Sequence, residues 1–224
     1  LKMVSLFAIP MTAGVISLSD SYLIMLNVAY EEAQPILILL SIGMLFQSIS
    51  IVFDLIILGT EKFDEGERIS FTSAIRSRIF RLYSLEYISS AVIIPVTHIA
   101  LLGYAGSPLN SAIFLSTIMM SSNIVLFMLG YLIARGSMRV NLPIKAIAKY
   151  VFASAIMMLI LRMLPHPTLL RTILPMTVLG ASIYFGILYV TDEETRKLTK
   201  LVLKEIKIVR LVPFLTSNDR NRKC

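Results

Sequence analysis

Six apolar runs, each near the length needed to cross a bilayer, constrain this chain more than any other feature of its sequence. A hydrocarbon core of about 30 Å takes about 20 mainly apolar residues in helical form. The runs fall at 3–28, 35–59, 82–103, 109–134, 149–164 and 169–190. The fifth is the shortest and contains Arg162. In lipid the backbone must satisfy its own hydrogen bonds, so a spanning run becomes a helix unless strands close into a barrel. Alternation at period two is absent, which argues against the barrel. The expected fold is all-α: a polytopic membrane protein of about six transmembrane helices.

Composition agrees with that reading. Of 224 residues, 56% are hydrophobic and 16% charged, against about 25% charged in soluble domains. Mean hydropathy is +0.79. Disorder, collagen-like repeats, a disulfide scaffold and most soluble enzymes are excluded. The sole cysteine, Cys224, is the last residue, so no internal disulfide forms. It does not sit four from the end, as a prenylation box requires. Leu1 and the absence of a charged n-region before the first run read as a fragment, or as a processed or incompletely bounded reading frame.

The net charge of +7 belongs to topology rather than to nucleic acid. Lys2, the loop after the second run, the stretch from Arg135 to Lys149 that opens the fifth, and the segment after the sixth together hold nineteen of the 21 Lys and Arg. The opposite side has Arg162 and Arg171, at the ends of the fifth and sixth runs beside Pro165-His166-Pro167. Positive charge gathers in cytoplasmic loops, so both termini are expected in the cytoplasm and the protein in the cell membrane. After the sixth run, Thr191-Asp192-Glu193-Glu194 reads as a capping box. It would open an amphipathic helix over 191–213, with Leu198, Leu201, Val202 and Ile206 on one stripe and Lys197, Lys200, Lys204 and Lys207 on another. Residues 214–224 read as a disordered tail.

Chemistry-bearing motifs are missing. The two histidines, His98 and His166, stand apart, and there is no Cys pair, phosphate loop, dinucleotide fingerprint or Gly-x-Ser-x-Gly elbow. The sequence gives no reason to expect an enzyme, a metal or a cofactor. Polar residues inside the spans remain, and these are costly in lipid. Asp20 lies about two thirds through the first span, with Ser17, Ser21 and Asn27 at helical spacing. It reads either as a cavity-lining carboxylate that carries a proton or sodium, or as a hydrogen-bond site between helices. A pair with Arg162 or Arg171 is open to it. In the second span Gly43, Gln47, Ser50 and Asp54 share a stripe; in the third, Glu86 leads one of Ser89, Ser90, Ile93 and Thr97. Asp54 and Glu86 lie near the cytosolic boundary, within reach of Arg76, Arg78 or Arg81. Ser17, Asp20, Asn27, Gln47, Asp54 and Arg162 are the candidates for a substrate or ion pathway. Pro10, Pro95 and Pro175 each remove a backbone donor inside a span and permit a kink.

Several segments, in order, resemble the polysaccharide and lipid-linked oligosaccharide flippases of the multidrug/oligosaccharidyl-lipid/polysaccharide exporter superfamily. They are Ala8-Ile9-Pro10, Ala29-Tyr30-Glu31-Glu32-Ala33 before an Ile-Leu run, and Leu58-Gly59-Thr60-Glu61-Lys62. Pro95 to Gly103 with Gly106 to Ala112, and Lys149-Tyr150-Val151-Phe152-Ala153-Ser154-Ala155, complete the set. The resemblance covers about Ala8 to Val190 and matches roughly the last six helices of such a transporter: one partial lobe of a MATE-like fold, without its N-terminal lobe. It implies alternating access, with a lipid-linked oligosaccharide or polysaccharide precursor as substrate and a proton or sodium gradient as drive. Implied partners are membrane lipids and a missing lobe or second copy. A multidrug or toxin extruder, cation-coupled, and a non-transporting scaffold subunit stand as alternatives.

Overall fold

The computed structural model describes residues 1–60, 75, 77–104, 106–137, 143–164, 170–192 and 196. Among them there are helices and no strands. The first apolar run is broken: α1 spans Lys2–Ser17 and α2 Ser19–Leu26, bent by 63° across Leu18. A 3-10 turn, Val28–Ala33, leads into α3, Gln34–Thr60. Then follow α4, Arg78–Gly103, α5, Pro108–Ser137, α6, Ile144–Met163, and α7, Leu170–Thr191. Among the described residues, five helices are long and apolar enough to cross a membrane, and six spans result if α1 and α2 count as one. The fifth span begins earlier than its hydropathy indicates, because Lys145 and Lys149 lie on the first turns of α6.

The helices pack as a row in the order α4, α5, α3, α1, α6, α7. Two clusters form within it. Leu6, Ile9 and Ala13 of α1 meet Tyr150, Ala153 and Met157 of α6 and Tyr184 and Leu188 of α7. Phe53 and Ile57 of α3 meet Leu82 of α4 and Ala134 of α5. The molecule is thus two three-helix groups, joined chiefly where α1 lies along α3. Small residues decide the closest approach. A Cβ on Gly43 of α3 would stand 3.2 Å from Met120 Cα of α5, and one on Gly130 would stand 3.5 Å from Ser50 Oγ. Phe46 and Phe53 flank that approach against Phe127 at 5.3 and 5.7 Å between ring centroids.

Helix directions alternate as a chain crossing back and forth requires. α3 runs parallel to α5, as the Gly43–Met120 and Ser50–Gly130 neighbours show. α4 runs antiparallel to α5, with Ser89 bonded to Ser122 and Arg78 to the Gly136 carbonyl. α6 runs antiparallel to α7, with Gly180 against Leu161 at one end and Lys149 paired with Asp192 at 3.1 Å at the other. One end of the bundle therefore gathers Lys2, Arg78, Arg81, Arg135, Lys145, Lys149 and Arg196; the other has Arg162 and Arg171. The outer faces remain apolar, as for Tyr87 (75% exposed) and Ile94 (70%) on α4. In water such a surface would be a liability; facing acyl chains it costs nothing.

One reading changes at the C-terminal end. Thr191 is no N-cap: it ends α7, and its hydroxyl turns back to the Ile187 carbonyl at 2.8 Å. Asp192 is 7% exposed and receives Lys149, which also donates to the Thr191 carbonyl. Arg196 donates to the Tyr189 and Val190 carbonyls and lies over the Tyr189 ring, so a cation covers the negative end of the helix dipole. The amphipathic stripe over 197–213 and the tail after it lie outside the described residues.

Candidate functional site

Polar groups collect in two places at opposite ends of α3. Gln34 opens that helix and Asp54 stands twenty residues on, about 30 Å along the axis at 1.5 Å per residue.

The first is the break in the first span. Ser17-Leu18-Ser19-Asp20-Ser21 concentrates short polar side chains that bond to nearby backbone and so compete with the helix ladder. Ser19 Oγ lies 3.1 Å from the Ile16 carbonyl and 3.4 Å from Asp20 Oδ1, and its one proton serves one acceptor at a time. Gln34 Nε2 donates to the same Oγ at 3.1 Å, pinning the break to the start of α3. Ser17, 3% exposed, reaches the Met158 carbonyl of α6 at 3.4 Å. Tyr22 and Thr177 of α7 share a 3.2 Å hydrogen bond. Asp20 is half-buried within this network. No described residue pairs it with Arg162 or Arg171, and Arg162 is exposed at the end of α6. Asn27 leaves the expected stripe, because the bend at Leu18 rotates α2 and the helix stops at Leu26. Its Oδ1 instead accepts from the Ala29 amide at 3.0 Å and caps the 3-10 turn, exposed.

The second place is a cavity of about 100 Å³ between α3, α4 and α5. Gln47, Ser50 and Asp54 of α3, Glu86 of α4 and Asn123 of α5 line it. Gln47, Ser50 and Asp54 of the stripe expected on the second span thus face this space, and from the third-span stripe Glu86 joins them, whereas Ser89 and Ile93 line a separate groove between α4 and α5; Asn123 supplies a fourth-span partner. The cavity is polar and roomy enough to hold water. Two carboxylates, two amides and a hydroxyl around that volume can hold a proton shared between acids or a small, partly hydrated cation. Neither Asp54 nor Glu86 is ion-paired to a described arginine; Arg78 reaches the Gly136 carbonyl, and Arg76 lies outside the described residues. Among the described residues no three or more His, Cys, Asp or Glu gather as metal ligands.

One buried contact was not legible as a site residue. Pro10 has no N–H, so the Leu6 carbonyl one turn earlier lacks its helix donor. The Tyr184 hydroxyl supplies one at 2.8 Å, buried between α7 and α1. The proline itself is the sequence signal that an outside donor is needed, though it does not say which residue. Comparison with profiles of known families, with curated proteins and with solved structures finds no match.

Proposed function

We propose that this chain is part of a membrane transporter, the C-terminal portion of a flippase that moves a lipid-linked oligosaccharide or polysaccharide precursor across the cell membrane by alternating access. The single observation that carries the reading is the broken first span, whose bend holds Ser17, Ser19, Asp20 and the Gln34 amide. Irregular, polar backbone at membrane depth is tolerated where it is buried in protein or lines a water-filled path, and discontinuous helices are a recurrent way of building transport sites. In this reading Asp20 and the Ser19 proton form the outer gate. The cavity at Asp54 and Glu86 holds the coupling proton or sodium near the inner end. Both termini are cytoplasmic, because the cation-rich end faces that side.

A multidrug-type cation antiporter is the second reading, favoured by the two carboxylates on one cavity. A scaffold subunit would need neither polar site. Leaflet exchange of a fluorescent lipid-linked oligosaccharide, measured with the complete gene product in proteoliposomes, tests the lead. Asp20→Asn is expected to lower the exchange rate by roughly tenfold or more, as for loss of a charge-assisted hydrogen bond. No exchange under any ion gradient sinks the flippase reading. Full exchange by the Asn variant removes Asp20 from the mechanism and returns the break to structure alone.

A further inference from the structure

We propose that the groove between α1, α3 and α6 is a binding site for an anionic phospholipid, with one acyl chain in the groove and the headgroup phosphate on Arg162. This reading goes beyond transport and requires only that the protein sits in a bilayer. The groove has a volume of about 560 Å³, within the roughly 300–1,000 Å³ usual for small-molecule sites. Its wall is mainly apolar, with Ile9 and Ile16 of α1, Ile42 and Leu45 of α3, and Val151 and Leu159 of α6, and the buried, unpartnered Ser154 hydroxyl is its polar exception. Thr12 shows no free hydroxyl there, because its Oγ1 donates to the Ala8 carbonyl at 2.9 Å.

Among the described residues the one charged side chain on the wall is Arg162, and it stands at the end of α6. From Val151 to Met163 the helix covers about 18 Å at 1.5 Å per residue. That is close to one leaflet, half of the roughly 30 Å hydrocarbon core. A transmembrane helix seated there would need contact over the full thickness and an acid opposite the arginine. A phospholipid needs one leaflet of apolar wall and a cation at headgroup level, and both are present. A cation at headgroup level attracts an acidic headgroup, and the planar guanidinium matches a phosphate with two N–H donors. The acids at the same end, Asp20, Glu31 and Glu32, form no described ion pair with Arg162, so its charge is open to an exogenous anion.

Native mass spectrometry of the full chain, released from micelles titrated with phosphatidylglycerol or with phosphatidylcholine of the same acyl chains, tests the site. A retained phosphatidylglycerol adduct is expected, preferred by roughly five- to tenfold. Arg162→Gln should abolish the preference and Arg162→Lys restore most of it. Ala155→Phe, which fills the groove and leaves the cation, should lose the adduct of both lipids. Glycerol phosphate should not displace the lipid. Equal retention of the two lipids, or an unchanged preference in Arg162→Gln, overturns the proposal. So does displacement by glycerol phosphate, which would mean a phosphate contact without the groove, and so does a second copy of the chain bound in place of lipid. Ala155→Phe and Arg162→Lys keep the test decisive if the Gln variant fails to fold.

Discussion

Pro10 and Tyr184 show how one residue's deficit is met by another far along the chain. Proline removes the donor that the Leu6 carbonyl needs, and the Tyr184 hydroxyl replaces it from 178 positions away. In lipid no water can take that role. Tyr184→Phe is expected to lower unfolding stability by about 1–2 kcal/mol, the cost of leaving a buried acceptor unsatisfied. Pro10→Ala returns an N–H to Leu6, so the same Tyr184→Phe change should cost far less in that background. Steric-trap or denaturant unfolding of the four variants measures the coupling. Additive effects would show that the hydroxyl does not serve the orphan carbonyl. Ser19 is the other residue on which much depends. Its hydroxyl joins the Ile16 carbonyl, Asp20 and Gln34, so three elements of the chain converge on one oxygen.

Among the helices, closeness of approach is set by what a glycine faces. A Cβ on Gly43 would meet the backbone Cα of Met120 at 3.2 Å, whereas one on Gly180 would meet the end of the Leu161 side chain at 3.0 Å. Backbone cannot yield without moving α5, while a leucine methyl turns aside. Alanine gains about 1 kcal/mol over glycine inside a helix. Gly180→Ala is therefore expected to be neutral or stabilising, and Gly43→Ala to destabilise by about 1–3 kcal/mol through overpacking. The Gly43 variant should also change the Asn123 side of the polar cavity, because the Asn123 amide nitrogen stands 3.2 Å from the same point. Equal unfolding midpoints for the two variants would show that α3 and α5 are not held at this distance by Gly43. The break between α1 and α2 belongs to this scale too. Leu18 keeps its amide bond to the Gly14 carbonyl and accepts from Tyr22, so the turn is hydrogen-bonded on both sides of the bend.

At the scale of the molecule, a row of helices in two groups leaves α1 and α3 as the main connection between them. An apolar groove lies on the α1–α3 face that carries Met3, Phe7 and Met44, and another where α6 joins them. Groups joined along one helix pair can tilt with less repacking than a bundle sharing one core, which suits the rocking that alternating access needs. The ends of the row make a direct prediction. Glu31→Cys, at the end with few cations, should react with a membrane-impermeant maleimide added outside intact cells. Arg196→Cys, at the cation-rich end, should react only after permeabilisation. The opposite pattern inverts the orientation, and labelling of both from one side removes the six-crossing topology.

The number of apolar runs, their helical form and the concentration of cations at alternate connections were all readable in order along the chain, because lipid forces a local solution: each span must satisfy its own backbone. The stripes holding Gln47, Ser50, Asp54 and Glu86 were readable as stripes for the same reason, since periodicity is a property of one helix. Which stripe faces which was not. The meeting of Asp54, Glu86 and Asn123 around one cavity, the hold of Gln34 on Ser19 and of Tyr184 on Leu6, and the pairing of Lys149 with Asp192 depend on how separate helices dock. The bend at Leu18 moved Asn27 off the face that an unbroken helix gives it. Apolar surfaces of similar composition pack in many ways, so only the small residues at close approach and the orphaned polar groups select one, and their selectivity acts between helices rather than along them.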